Sequence, residues 1–358
     1  MGSTGPRADA TIDLVWSDLR ADAALREIAA LSGAGMAVDE IHAAALSSVR
    51  RVVPFDAACV GAVDPDTLLL TSGVTIGFSP SAAENERFVE LEYGGVERHS
   101  FANLVDRGVP VLADGGGMSP RQRMDVRYNE LVKLIGFAHD ARITFVSDGS
   151  CWAVGDLYRA GNADAFEARE LQFLDQAAGS VATATRLATH RVDAEAGVLP
   201  EGSAVLVVEA DGTISGMTAA AEGWIDDREG APGALWWAIR TAVATARRGV
   251  PTAYTRVRLG GSWVVVRASA LRSGSADGPV AVTIDEAGAR ELADLYMAAH
   301  GLTRREREIC HEVMAGRSTR EIAARLFISP HTVQDHLKSV FDKAGVRSRR
   351  ELVATLAN

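Results

Sequence analysis

His331, Gln334, Asp335 and Lys338 stand at positions i, i+3, i+4 and i+7, a spacing that places side chains on one face of a helix. Together they offer an imidazole, a carboxamide, a carboxylate and an ammonium, groups able to read base edges in a major groove. Thr332, His336, Ser339 and Lys343 form an adjoining flank of hydroxyl, imidazole and ammonium groups suited to phosphate oxygens. Val333, Leu337, Val340, Phe341 and Ala344 fill the third stripe, which must face a core. Ser329 to Ala344 is therefore predicted as one helix with a polar face turned outward.

The flanking sequence supplies what would hold such a helix. Leu302, Ile309, Val313 and Met314 make one apolar face, Thr303 with Glu306 reads as a capping box, and Gly316 ends that helix. Ser318 with Glu321 caps a second helix carrying Ile322, Ala323 and Leu326, and Phe327 with Ile328 is predicted to bridge to the third. Ser348 with Glu351 caps a fourth, bearing Leu352, Val353 and Leu356. Charge separates this segment from the rest. From His300 onward there are 11 Lys or Arg against 7 Asp or Glu, plus 4, while the remainder holds 26 against 40, minus 14. A small basic module on an acidic body is the organisation this implies.

Leu302 to Glu308 (LTRRERE), Gly316 to Ala323 (GRSTREIA) and Ser329 to Lys338 (SPHTVQDHLK) resemble the LuxR-type helix-turn-helix family over about 55 residues. The resemblance implies a recognition helix with base-facing Gln334, Asp335 and Lys338. It also implies phosphate contacts at Thr332 and around the second helix, at Ser318, Thr319 and Arg320, and a fourth helix that dimerises on DNA. Many members carry Lys or Arg where Gln334 stands, and Asp335 places a negative charge in the groove. Asp accepts from a cytosine amino group and Gln pairs with adenine, so the module trades backbone attraction for selectivity.

At 358 residues the chain exceeds what one core usually supports. The fold class expected is α+β multidomain, with two antiparallel sheets with helices ahead of an all-α four-helix domain. Residues 20–190 read as helices and strands: a helix at Asp39 to Arg51, strands at Ala57 to Val63 and Thr67 to Ile76 joined by Asp64-Pro65-Asp66, and a hairpin of Arg142 to Ser147 and Cys151 to Tyr158 around Asp148-Gly149. Phe166 to Leu187 closes this part with a seam at Leu171, Leu174, Ala178, Val181 and Thr185, fit for its own sheet or a second subunit. After a polar connector, residues 200–287 read as a strand at Ala204 to Glu209, the turn Asp211-Gly212, a strand at Thr213 to Gly216 and helices at Ala219 to Asp226 and Leu235 to Arg247. The strands Tyr254 to Leu259, Ser262 to Leu271 and Val280 to Asp285 follow, the first two meeting at Gly260-Gly261. Residues 288–300 are expected to connect this unit to the module at 301–358.

Residues 20–190, through element order and the stretch Cys151 to Arg159 (CWAVGDLYR), resemble a GAF domain. Residues 200–287, through Val207 to Ile214 (VVEADGTI) and Ala219 to Trp224 (AAAEGW), resemble a PAS domain. LuxR-type regulators commonly switch through a phosphorylated receiver or a ligand-binding domain. This N-terminus shows no acidic cluster with a phosphoacceptor Asp after an early apolar strand, so a small-molecule sensor is the reading. A ligand would occupy a mostly apolar concavity with few polar anchors, and Phe55, Phe101, Tyr128, Phe137, Trp152 and Tyr158 are candidates by residue type. The alternatives are a region used only for dimerisation or protein contacts, and an enzyme with a fused DNA-binding module.

Nothing in the sequence points to catalysis. His99, His139 and His190 lack metal-ligand spacing, no Gly-x-Ser-x-Gly elbow occurs, and Gly115-Gly116-Gly117 lacks the Lys-Ser/Thr of a phosphate loop and reads as a flexible turn. Cys59, Cys151 and Cys310 are scattered and read as small apolar residues. No cofactor or metal is expected. Apolar residues make up 47% of the chain, yet no run is long enough to cross a membrane and no signal peptide is visible. A cytoplasmic homodimer that binds double-stranded operator DNA and a small effector is the expectation.

Overall fold

A computed structural model describes residues 7–95, 98–113, 126–191, 202–225, 233–259, 261–271 and 278–357. The chain divides into two compact units, one of Met1–Ala62, Ser72–Phe145 and Ala153–Thr189, the other of Val63–Thr71, Val146–Trp152 and His190–Asn358.

The first unit opens with α1 (Arg7–Ala30) and α2 (Val38–Arg50). Ile41, Ala45, Leu46 and Val49 recur at helical spacing along one buried face of α2, as its periodicity predicts. β1 (Ala57–Ala62) and β2 (Val74–Ile76) follow, then α3 (Ala82–Tyr93), α4 (Phe101–Asp106), β3 (Val111–Ala113), a π-turn at Tyr128–Val132, β4 (His139–Ser147), β5 (Ser150–Arg159) and α5 (Ala168–His190). The strands form an antiparallel sheet in the order β2-β1-β5-β4-β3. Asp148 and Gly149 both take positive φ, 51° and 76°, as a two-residue reversal requires. Gly155 lets β5 lie close on β1, since a Cβ there would meet Val60 Cγ2 at 2.7 Å and Cys59 O at 3.0 Å. Leu174, Ala177 and Val181 of α5 line a small apolar cavity of about 20 Å³ with Leu46, Val60 and Leu157. The α5 seam thus buries on its own sheet and on α2.

One strand expectation fails. Thr67 to Ile76 is not a single strand. Only Val74–Ile76 pairs with β1, because the Asp64 carboxylate accepts from Asp66 N, Leu68 N–H donates to Asp64 O, and Leu68 turns to φ 59°. Those bonds curl the chain into a loop that leaves a single bridge, Val63 to Leu70.

The second unit holds β6 (Ala204–Val208), β7 (Ile214–Met217), α6 (Ala219–Trp224), α7 (Ala234–Arg247), β8 (Ala253–Leu259), β9 (Ser262–Ala270) and β10 (Val280–Glu286). The sheet order is β7-β6-β10-β9-β8, antiparallel throughout. α6 stops at Trp224, two residues short of the expected end, and Asp226 lies outside the described residues. Gly115-Gly116-Gly117, Gly260 and most of the 191–202 connector lie outside them as well.

α8 (Ala289–Ala299), α9 (Arg304–Met314), α10 (Thr319–Leu326), α11 (Pro330–Ala344) and α12 (Arg349–Ala357) complete the unit. Ala293 and Met297 of α8 share one core with Ile309, Val313, Ile322, Val333, Leu337, Val340, Leu352 and Leu356. The connecting helix is therefore a fifth member of the helical cluster. Among the described residues no helix is long and apolar enough to cross a membrane.

Candidate functional site

The capping chemistry of α9, α10 and α11 forms as the residue types dictate. Thr303 Oγ1 accepts from Glu306 N and Ser318 Oγ from Glu321 N, each answered by the glutamate on the cap N–H. Ser329 Oγ accepts from Thr332 N at 3.0 Å, Pro330 opens α11, and Gly345 ends it at φ 66°. Phe327 does not bridge the helices by packing. Ile328 packs against the core, whereas Phe327 takes φ 55° at the α10 C-cap and its side chain is exposed to solvent.

α11 presents the three stripes. Val333, Leu337, Val340 and Ala344 are buried; His331, Gln334, Asp335 and Lys338 are exposed; Thr332, His336 and Ser339 are half-buried between them. Gln334 Nε2 donates to Thr319 Oγ1 at 3.0 Å, which fixes the amide and leaves its oxygen and second N–H facing outward, the pair an adenine N6/N7 edge requires. Asp335 meets the His331 imidazole at 2.8 Å across one helical turn.

The cations divide into internal ties and open charges. Lys343 donates to Glu306, Arg305 to Glu308 and to Leu326 O, and Arg349 to Arg317 O, while Arg317 and Arg325 form ion pairs with Glu312. Arg320, Lys338, Arg347 and Arg350 are exposed. Ser318, at the head of α10, is exposed beside Arg320, but its hydroxyl is engaged with Glu321. Burial alone would raise the Glu306 pKa, but hydrogen bonds from Lys343, Ser339 and Thr303 outweigh it and hold the carboxyl at about 2. Angular sorting places Lys343 beside the phosphate flank, yet its ammonium is turned onto α9.

In the first unit the aromatic candidates separate. Tyr128 and Tyr158 cluster with Phe137 and Phe78, Phe137 stacking on Tyr158 at 5.3 Å. Phe101 carries the Arg142 guanidinium over its ring at 3.7 Å, and Phe55 lies beneath Arg50 at 5.2 Å. Trp152 belongs to the second unit, edge-on to His190 at 5.6 Å. Sequence reading missed the charged network beside the cluster. Arg127 joins Asp140 and Asp156, while Arg142 joins Glu92 at 2.7 Å and Asp156 at 3.2 Å, all five side chains buried. Burial raises the Asp156 carboxyl despite both guanidiniums, and burial with Asp156 pushes the Cys59 thiol up to about 12. Cys310 is likewise held at about 12, by burial and Glu306, so neither thiol ionises near neutrality. Among the described residues no group of three His, Cys, Asp or Glu is placed to hold a metal.

Comparison with known proteins converges on the helical module. A family model described as "Bacterial regulatory proteins, luxR family" matches residues 300–356. The spore germination protein GerE of Bacillus subtilis (strain 168) is 42% identical over 55 residues, 15% of this chain and 74% of that protein. The CsgBAC operon transcriptional regulatory protein of Escherichia coli (strain K12) is 45% identical over 53 residues, 15% of this chain and 24% of that protein. A Mycobacterium bovis protein described as an HTH-type transcriptional regulator is 50% identical over 52 residues, 14% of this chain, and the match spans only 6% of that much longer relative. Among solved structures, the bacteriophytochrome RpBphP3 of R. palustris covers 75% of this chain and 61% of its own at 12% identity and a TM-score of 0.30, a remote likeness.

Proposed function

The chain belongs to the luxR family of bacterial regulatory proteins through residues 300–356, and from that premise we propose that it is a transcription regulator that binds double-stranded operator DNA with α11 in the major groove. The observation that carries this reading is the outward row His331, Gln334, Asp335 and Lys338 on a helix whose opposite face buries Val333, Leu337, Val340 and Ala344. Such a row reads base edges. Thr332, His336, Arg320 and Ser318 flank it and meet phosphates, and Thr319 beside them holds the Gln334 amide. Two copies on two half-sites would make the operator two-fold symmetric.

Ligand control of that binding is assigned to residues 20–190 as a GAF-like sensor, with 200–287 as a PAS-like unit, 288–300 as the connecting helix and 301–358 as the DNA-binding module. Support comes from the interior of the first unit, where two guanidiniums and three carboxylates lie buried beside four aromatic rings. Buried ion clusters cost stability relative to apolar filling, and a few polar anchors within apolar walls are what a small-molecule site needs. Tyr128, Phe137, Tyr158 and Phe101 are the sequence candidates that lie in this region.

Selection of random duplexes by the full-length chain tests the first reading. One enriched motif is expected, with an affinity that falls as salt rises; enrichment of no motif would sink it. Native mass spectrometry of the full-length chain tests the second, through a dimer carrying a discrete small-molecule mass that Asp156→Asn abolishes. An empty chain that binds its motif with unaltered affinity in the Asp156→Asn variant would leave the N-terminal region a dimerisation or protein-contact domain.

A further inference from the structure

Phe327 occupies the turn between α10 and α11 with 94% of its surface exposed and its backbone at φ 55°, ψ 43°. Both features are unfavourable for this residue type. A Cβ disfavours the left-handed region, and a bare phenyl ring leaves its apolar area in water. At the other left-handed positions of the module, 301, 316 and 345, the sequence uses glycine, at φ 66°, 77° and 66°. Position 327 departs from that rule.

Slack in the turn does not account for it. Phe327 N–H and Ile328 N–H both donate to Ala323 O, the Ile328 side chain packs in the core, and Leu326 O accepts from Arg305 at 2.6 Å. Two residues on, Ser329 caps α11. The ring is held outward on a turn pinned from both sides. Strain that persists at an exposed position points to a contact made outside the fold.

Location selects the partner. The N-terminal residues of a recognition helix are those that reach base edges, and Phe327 stands two residues before the N-cap of α11. After Pro330, the exposed groups of the first turns of α11, His331, Gln334 and Asp335, are all polar. For an aromatic ring among them, the apolar partner in a major groove is the thymine 5-methyl group. Resting on the reading of the chain as a sequence-specific DNA binder, we propose that Phe327 is a specificity-determining residue that packs on a thymine methyl at the edge of the base pairs read by α11.

The test uses the full-length chain, wild type and Phe327→Gly, each put through selection from a random duplex library. Glycine suits the backbone at 327, so the variant's melting temperature should equal or exceed that of the wild type. The wild-type motif should contain a thymine preference that the variant loses, and on the wild-type duplex the variant should bind about fivefold or more weakly. Replacing that thymine by deoxyuracil removes only the methyl group. It should weaken wild-type binding about fourfold and leave the variant unaffected. Identical motifs and affinities for the two proteins would overturn the proposal, as would a variant that melts lower while selecting the same motif. If the wild type enriches no motif, the DNA-binding reading itself fails and carries this inference with it.

Discussion

Lys343 donates to Glu306 at 2.8 Å while Ser339 donates to the other carboxylate oxygen at 2.7 Å, so two residues of the flank of α11 are spent on fastening the recognition helix to α9. Lys343→Met should therefore act on stability before it acts on DNA. A loss of about 1–3 kcal/mol in urea unfolding is expected, since a buried carboxylate loses its charged partner. The salt dependence of DNA binding should stay as it is, whereas Arg320→Ala should lower that slope by about one. A smaller slope for Lys343→Met at unchanged stability would return Lys343 to the phosphates.

The same carboxylate sets an acid limit. Its folded pKa of about 2 lies below the ordinary 4.5, so the stability it contributes is complete above about pH 4.5 and is lost as pH falls towards 2. His42 acts in a higher window. Burial lowers its pKa from 6.5 to about 4, so between those values the unfolded chain binds the extra proton and stability falls as pH falls from about 6.5 to 4. The His42 effect integrates to roughly 3 kcal/mol, and the Glu306 effect to less, because solvent screens its partly exposed partners. Thr185 Oγ1 donates to Val181 O and accepts from His42 Nε2, which fixes the proton of the neutral ring on Nε2. Unfolding free energy measured against pH should show both slopes, with Glu306→Gln flattening the lower and His42→Gln the upper.

What the sequence made legible was local. Capping pairs three residues apart, the Asp148-Gly149 reversal and the stripes of α11 depend on neighbours within one or two turns, and each forms where residue type and spacing place it. Lys343 marks the boundary of that method: its angle on the helix was readable, but its partner, 37 positions away, was not. The buried network of Arg127, Arg142, Asp140, Asp156 and Glu92 left no signal because its members come from α3, β4, β5 and the segment before the π-turn, meeting only when the sheet forms. Thr67 to Ile76 misled because its β-branched composition favours a strand, while Asp64 bonds to its own following backbone. Phe327 misled by composition too, an apolar residue between two helices whose φ is set by the cap.

Asp64 illustrates a tertiary tie within the second unit. Both its oxygens hold Arg256, which donates from its backbone N at 2.9 Å, Nε at 2.8 Å and Nη2 at 2.6 Å, with Asp66 adding a further bond. Arg256 and Asp64 are each 2% exposed. Arg256→Ala should cost about 3–5 kcal/mol, because it strands a buried carboxylate. Combining it with Asp64→Asn should recover part of that loss, since the stranded charge is removed. Additive losses in a double-mutant cycle of urea unfolding would refute the coupling.

Gln334 and Thr319 make the finest test of how α11 reads DNA. The Thr319 hydroxyl takes one amide hydrogen of Gln334 and so orients the rest of the amide outward. Gln334→Ala should relax preference at one base position of the selected motif and cost about 1–3 kcal/mol on the preferred duplex, with little change on others. Thr319→Val keeps the side-chain shape and removes the hydroxyl. It should blur preference at that same position by a smaller amount, because the amide is still present but free to rotate. If Thr319 instead serves a phosphate, Thr319→Val will weaken every duplex alike and leave the motif intact. Parallel selection with the two variants separates the cases: a shared blurred position supports amide positioning, and a uniform loss for Thr319→Val rejects it.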